Sequence, residues 1–232
     1  MIIPAYNEAE NIKGVLDSLK QAPVETDYVV VNDCSTDNTV DILKEYGANY
    51  LSLPINLGIG GCVQSGYRFA LEQGYDIAVQ MDGDGQHDPQ FLDKVIAPIV
   101  SGQADLVIGS RFLEKEGFQS SALRRLGIKW LSGLIRLCCG KRVFDITSGF
   151  RAASKQVIAF FADHYAQDFP EPEAIMASVL EGFRVEEVPV RMNERTGGQS
   201  SIGGFKSLYY MIKVTISLLI YRMGIKKKKV MS

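Results

Sequence analysis

The stretch from Ile77 to Pro89, IAVQMDGDGQHDP, ends an apolar run on two aspartates one glycine apart. Asp82 and Asp84 stand at i and i+2, so on an extended segment both carboxylates point the same way. Gly83 and Gly85 permit a tight turn and close approach by a ligand. Two like charges together are unfavourable unless a cation sits between them or on one of them. Hard oxygens suit Mg²⁺ or Mn²⁺, and Mg²⁺ usually takes one or two carboxylates together with substrate phosphates. The pair reads as a grip for a divalent ion on a diphosphate, or as a solvated Asp-Gly turn.

Other residues suit the same chemistry. Arg111, Arg125, Arg151 and Arg195 lie in or near polar loops, and planar guanidinium forks match phosphate. Tyr6, Glu8 and Asp33 combine an aromatic ring with two carboxylates that can pack a base and bond its donors, or serve as helix caps. His87 is either a structural hydrogen-bonder or a further ligand. NLGIGG, Asn56 to Gly61, nearly mimics a dinucleotide fingerprint, but Val63 stands where the third glycine belongs.

The elements that must position these groups alternate. Strands are expected at Ile2 to Ala5, Tyr28 to Val31, Asn49 to Leu53, Ile77 to Met81 and Leu106 to Ile108. Between them lie helices: one with Ile12, Val15, Leu16 and Leu19 on a single face, capped by Asn7 with Glu10 as its box partner. A second helix, capped by Ser35 or Asp37, carries Val40 and Leu43; a third carries Val63, Tyr67, Ala70 and Leu71; a fourth carries Phe91, Leu92, Val95, Ile96 and Ile99. This alternation implies a largely parallel sheet covered on both faces. Ligands of such sheets bind outside the carboxyl ends of the strands, where Tyr6 to Glu8, Asp33, Asp82, Asp84 and Arg111 all fall. Beyond, the chain is less regular. Leu126, Trp130, Leu134 and Leu137 suggest a helix, Phe144 to Arg151 a polar loop, Glu186 to Val190 a short strand, and Arg191 to Ser201 a basic glycine-containing loop.

The 232 residues, 46% hydrophobic, supply ample core for one domain or slightly more. A net charge of −2 provides no field for nucleic acid. Cys34, Cys62, Cys138 and Cys139 form no metal-binding spacing, and suit free thiols in a reducing cytosol. The first strand is short, so the natural chain is expected to begin a few residues upstream of Met1.

DGDGQHDP does not stand alone. PAYNE at Pro4 to Glu8, NDCSTDNT at Asn32 to Thr39, NLGIGG, GSRF at Gly109 to Phe112 and TSGFR at Thr147 to Arg151 follow one another in an order and spacing that resembles family 2 glycosyltransferases, over about Met1 to Arg195. DGDGQHDP with SGFR looks most like the branch containing dolichyl-phosphate mannosyltransferase and bacterial polyprenyl-phosphate glycosyltransferases. The resemblance implies a GT-A fold: a Rossmann-like, mostly parallel sheet with helices on both faces. It also implies a nucleotide-sugar donor (UDP, by family frequency), Mg²⁺ or Mn²⁺, and inversion at the anomeric carbon.

By the same resemblance Pro4, Ala5, Tyr6, Glu8 and Gly61 line the nucleotide-sugar pocket and Asp33 contacts the base or ribose. Asp84 ligates the metal, Asp82 is a ligand or ribose contact, and Gln86 is a further ligand. Arg111 and Arg125 hold the acceptor phosphate with Ser200 and Ser201; Arg195 holds the donor diphosphate, with Gly197 and Gly198 as loop hinges. Asp145 and Arg151 join Asp84 as catalytic residues, while Glu171 and Glu173 occupy the region of a general base. A hydroxyl acceptor needs such a base; a lipid monophosphate is already anionic, and the carboxylates would then only orient arginines. Two departures stand out: Ile59 replaces a lysine common in the glycine turn, and no transmembrane helices follow the catalytic part in this sequence.

From Phe205 the chain turns apolar and ends in Lys226 to Lys229. Tyr209, Ile212, Ile216 and Leu219 share a helical face, which suits a helix lying in a membrane interface or packing on protein. The expected organisation is a catalytic domain over 1–202 and an amphipathic helix over 203–232. The expected enzyme is peripheral on the cytoplasmic face of a membrane. It moves a hexose or N-acetylhexosamine to polyprenyl phosphate for surface glycan synthesis, with an integral-membrane partner possible and no nucleic acid. The alternatives are transfer to a sugar hydroxyl of a growing polysaccharide, or a non-catalytic scaffold that binds sugar nucleotide.

Overall fold

The computed structural model describes residues 1–114, 122–193 and 205–230. Three strand–helix pairs come first: β1 (Ile2–Ala5) and α1 (Ile12–Leu19), β2 (Val29–Asn32) and α2 (Thr39–Tyr46), β3 (Tyr50–Ser52) and α3 (Gly58–Glu72). β4 (Ile77–Gln80), α4 (Leu92–Val100), β5 (Leu106–Ser110) and α5 (Ala122–Cys139) follow. The chain continues through β6 (Arg151–Ser154), α6 (Lys155–Asp163), α7 (Pro170–Leu180), β7 (Val185–Pro189) and α8 (Phe205–Val230). Among the described residues these strands form one sheet in the order β3-β2-β1-β4-β6-β5-β7. The pairs β1–β2, β2–β3, β1–β4 and β5–β7 are parallel, while β6 runs antiparallel to both β4 and β5.

β6 is the main departure from expectation. RAAS is too short and too small-sided to announce a strand, and it follows a segment expected to be a polar loop. Pairing on both sides makes it one, with Ala152 and Ala153 fully buried. The helices α6 and α7 were likewise not anticipated, although Pro170 at the first position of α7 is a regular helix opener.

Cores lie on both faces of the sheet. On one, Ile3, Val30 and Val107 meet α1, α2 and α4; on the other, Ile2, Val31 and Ile108 meet α3, α5, α6, α7 and α8. α1 buries the four residues expected, Ile12, Val15, Leu16 and Leu19. Its cap position is Asn11 rather than Asn7, and Asn11 makes no side-chain cap bond. A missing cap costs about 1 kcal/mol, whereas each buried aliphatic side chain stabilises by roughly 1.5–3 kcal/mol. Packing therefore decides this helix.

α5 is the helix that Leu126, Trp130, Leu134 and Leu137 suggest, and of these Leu134 packs against the core. Ile128, Leu131, Ile135 and Cys138 face the core, while Leu126, Trp130 and Leu137 are 66%, 61% and 83% exposed. The helix carries two apolar stripes, and spacing alone does not say which one meets the sheet. α8 also has a buried and an exposed apolar side. Val214 and Leu218 are fully buried, and the predicted face of Tyr209, Ile212, Ile216 and Leu219 looks outward. Trp130 Nε1 donates to Thr215 Oγ1 at 3.2 Å, joining the two exposed faces.

Candidate active site

The carboxyl ends of β1, β2, β4 and β5 assemble one polar edge. Beyond the strands, Asp33 N–H donates to Ala5 O at 2.9 Å and Gly83 N–H to Pro4 O at 3.3 Å. The end of β1 thus lies between the Asp33 loop and the carboxylate turn, and Pro4 and Ala5 contribute backbone and buried surface there. Asn7 takes a left-handed conformation, φ 54°. Its Oδ1 accepts from Thr36 N–H at 2.8 Å and Asp37 N–H at 3.3 Å, and its own N–H donates to Ser35 Oγ at 3.0 Å. Asn7 therefore locks the first loop to the second instead of capping α1. Glu8 N–H donates to Thr39 Oγ1 at 2.9 Å, while Asn11 Nδ2 donates to Glu8 Oε2 at 2.7 Å. Tyr6 remains half exposed at the rim.

Asp33 is buried, and its Oδ1 accepts from Leu57 N–H at 2.7 Å. The carboxylate ties the glycine turn to β2. Gly61 was expected to line the nucleotide-sugar pocket. A Cβ there would meet Leu57 Cβ at 2.6 Å and Gln167 Oε1 at 3.0 Å, so its glycine is required by packing within the protein. Gly60 is closer still, with Ala166 O and Gln167 O against the position a Cβ would take.

β4 ends at Gln80, so Asp82 lies just past the strand and Asp84 on the turn that follows, and the same-side argument for an extended pair does not apply. What positions Asp82 is tertiary. Gln80 Nε2 donates to Asp82 Oδ1 at 3.2 Å, and Tyr165 O–H donates to Gln80 Oε1 at 3.3 Å. Gln80 is fully buried and burial pushes the Tyr165 phenol well above its usual pKa, keeping it a donor. The Asp82 carboxylate lies against Gly149 of the TSGFR motif, where a Cβ would sit 2.5 and 2.6 Å from its two oxygens. Asp84 Oδ1 accepts from Gln86 N–H at 3.0 Å, and Gly85 takes φ 76° to close the turn.

His87 is buried and its Nδ1 accepts from Asp82 N–H at 3.0 Å. Its ring stacks on Phe150 at 5.4 Å. The Nδ1 lone pair is thus spent on the backbone, which gives His87 the structural role and removes it from the ligand set. The remaining donors are Asp82, Asp84 and the amide of Gln86. Hard oxygens from two carboxylates and an amide fit Mg²⁺ or Mn²⁺ completed by phosphate oxygens. No cluster of three His, Cys, Asp or Glu occurs among the described residues.

Arg151 corrects a second expectation. It is fully buried, and its guanidinium donates to Ser148 O at 2.6 Å, Glu171 O at 2.9 Å and Ile146 O at 3.3 Å. A buried cation bonded to three carbonyls pins the TSGFR segment to the start of α7. Asp145 is also fully buried and makes no exposed base. Both its oxygens engage Arg111, with Nε to Oδ2 at 2.7 Å and Nη2 to Oδ1 at 3.2 Å, and Arg111 N–H adds a bond to Oδ2 at 3.1 Å. Arg111, just past β5, is thereby held as a fixed fork.

Arg125 lies exposed on α5. Glu173 Oε1 accepts from Ser217 Oγ at 2.6 Å, linking α7 to α8, and burial raises its pKa against that hydrogen bond. Glu171 contributes its carbonyl to Arg151. Arg195 and Ser200, with Gly197, Gly198 and Ser201, lie outside the described residues. Asn193, two positions before Arg195, donates its N–H to Gln86 O at 2.8 Å, which brings the entry of that segment onto the carboxylate turn.

Sequence reasoning missed Gln80, Tyr165 and Glu187. Glu187 accepts from Phe144 N–H at 2.7 Å and Asp145 N–H at 2.8 Å. Burial raises its pKa, opposed by those two bonds. A signal was present: adjacent Glu186 and Glu187 on one strand must point to opposite faces, so one of them points away from water or into a contact.

Comparison with known proteins gives the family. The family model for glycosyl transferase family 2 matches residues 1–161. An undecaprenyl-phosphate mannosyltransferase of Micrococcus luteus is 33% identical over 88% of this chain and 86% of its own. A UDP-N-acetylglucosamine–dolichyl-phosphate N-acetylglucosaminyltransferase of Methanococcus voltae is 31% identical over 91% and 94%. A polyprenol monophosphomannose synthase of Mycolicibacterium smegmatis is 30% identical over 92% and 84%. Among solved structures, glucosyl-3-phosphoglycerate synthase from Mycobacterium tuberculosis, crystallised with Mn²⁺, UDP-glucose and phosphoglyceric acid, superposes with a TM-score of 0.69 at 22% identity, covering 96% of this chain and 78% of that one. That likeness shows the shared GT-A fold. With a matching model over most of its length and relatives of this identity aligned nearly end to end, the chain belongs to glycosyl transferase family 2.

Proposed function

We propose that the protein transfers a hexose or N-acetylhexosamine from a nucleotide diphosphate sugar to a polyprenyl phosphate, with inversion at the anomeric carbon. The observation that carries the acceptor is the Arg111–Asp145 pair. It holds a guanidinium, itself only 5% exposed, at a strand end, and it leaves the carboxylate partner no surface from which to act as a base. The three relatives above are named for undecaprenyl, dolichyl or polyprenol phosphate chemistry, which supports the same acceptor. UDP is the nucleotide this reading takes, supported by the donor named for the Methanococcus relative.

In this reading Tyr6, Glu8 and the Asp33 loop receive the nucleotide. Asp82, Asp84 and Gln86 would hold Mg²⁺ or Mn²⁺, which when bound offsets charge building on the leaving diphosphate. Gln80 and Gly149 keep Asp82 in place for that task. Arg111 orients an acceptor phosphate, together with Arg125 on α5. A phosphate oxygen attacks C1 of the sugar from the face opposite the diphosphate; the C1–O bond breaks and its electron pair leaves with the diphosphate. The attacking oxygen is already anionic, so no base has to remove a proton.

The acceptor's lipid suggests where the protein works. Leu126, Trp130 and Leu137 of α5 and Ile212, Ile216 and Leu219 of α8 are exposed, and Trp130 bonds Thr215 between the two helices. No described helix is long and apolar enough to cross a membrane. Interfacial docking of these exposed side chains on the bilayer that holds the acceptor fits both facts. The deciding experiment is transfer of label from UDP- and GDP-sugars to purified undecaprenyl phosphate, with Mg²⁺, Mn²⁺ or EDTA. A metal-dependent lipid product labile to mild acid is expected. Transfer to an oligosaccharide hydroxyl instead would refute the acceptor assignment and direct attention to Glu173.

A further inference from the structure

Asp145 aims the Arg111 fork, yet it sits on residues 140–150, which contain neither helix nor strand. Something other than a ladder must hold that backbone. Two consecutive amides of the segment, Phe144 N–H and Asp145 N–H, donate to Oε2 and Oε1 of Glu187 at 2.7 and 2.8 Å. Glu187 stands on β7, where it pairs in register with Ile108 of β5, three residues before Arg111. One carboxylate on a strand thus fixes the peptide that carries Asp145, and Asp145 in turn takes the guanidinium of the residue just past the neighbouring strand. Its neighbour Glu186 bonds Lys141 Nζ at the surface at 2.9 Å.

We propose that Glu187, which lies in none of the recognised motifs, is a positioning residue for acceptor binding: it holds the Asp145 backbone so that both carboxylate oxygens meet Arg111. The inference rests on the reading of Arg111 as the acceptor-phosphate ligand. Both bonds are charge-assisted and made by a partly buried carboxylate, so neutralising it weakens both and presents an N–H where an acceptor is needed.

The test compares Glu187→Gln, Arg111→Ala and the double variant, with Glu186→Gln as control, in steady-state transfer to polyprenyl phosphate. Glu187→Gln is expected to raise the acceptor KM about tenfold while donor KM and nucleotide affinity stay within about twofold. In the Arg111→Ala background the same change should add less than about twofold, since its route of action is gone. Glu186→Gln should match the parent. Glu187→Asp, which keeps the charge but is one methylene shorter, should fall between parent and Glu187→Gln, and serves if the glutamine variant does not fold. An unchanged acceptor KM in Glu187→Gln overturns the proposal, as does equal loss of donor and acceptor binding or full additivity with Arg111→Ala. If Arg111→Ala itself leaves the acceptor KM unchanged, the acceptor reading of Arg111 fails and this inference falls with it. A raised KM in Arg111→Ala alone removes only the role of Glu187.

Discussion

Gly149→Ala is the sharpest single perturbation of the proposed metal grip. Gly149 does not occupy the left-handed region, so alanine suits its backbone and the only new object is one methyl group. That methyl would lie 2.5 and 2.6 Å from the oxygens of Asp82. Ordinary contact begins at 3.4 Å, so the carboxylate has to retreat by about 0.9 Å. It cannot retreat freely, because Gln80 Nε2 holds Oδ1 and His87 Nδ1 holds the Asp82 amide. A displacement near 1 Å at a catalytic group costs on the order of 100-fold in rate, or about 2.7 kcal/mol of transition-state stabilisation. The assay is kcat/KM for transfer across a Mg²⁺ titration, alongside nucleotide affinity with and without metal and the urea midpoint. The expected variant folds, binds nucleotide without metal as the parent does, and loses about 100-fold in kcat/KM with a raised metal requirement. Activity within about threefold of the parent at all metal concentrations would refute the reasoning, because Asp82 would then not depend on its position.

Three further outcomes follow from the same geometry. Arg151→Met removes a fully buried cation that bonds three carbonyls, leaving those acceptors unsatisfied; a loss of about 3 kcal/mol or more in urea unfolding is expected, whereas a variant as stable as the parent would restore Arg151 to a direct role. Trp130→Glu with Ile216→Glu places charge on the outward apolar surface, and co-sedimentation with anionic vesicles should drop by at least about tenfold while transfer to a short, water-soluble prenyl phosphate is retained. Burial raises the pKa of Glu173 above 4.5, so ionisation costs the folded state: stability is full below the unfolded carboxyl pKa and falls as pH rises through the folded one. Glu173→Gln should accordingly raise Tm at about pH 8 and leave it unchanged near pH 3.5. An equal gain at both pH values would assign the effect to packing instead.

Legibility differed by region for physical reasons. The alternation of the first five strands with their helices, the inward face of α1 and the gathering of loops at the strand ends were all open to reading, because each is a local periodic pattern or a consequence of parallel topology. The second half was less open. β6 is a strand only because β4 and β5 flank it, and its alanines carry no strand signal of their own. Arg151 looks like a phosphate ligand in a polar motif, and only the carbonyls of residues 146, 148 and 171 converging on it show that its charge is spent inside.

By itself the sequence determined the kind of chemistry. Two aspartates flanked by glycines, a glycine turn and arginines past strand ends are residue types whose reactivity travels with them, and their order along the chain is enough to indicate the family. The tertiary structure decided which of those groups are placed to act. The Asp145 bonds to Arg111, the outward stripe of α5, and the bonds of Glu187 to the Asp145 backbone and of Gln80 to Tyr165 all depend on residues distant in sequence and adjacent in space. Burial and partner geometry are properties of the packed chain, and they set whether a charge meets substrate or another residue.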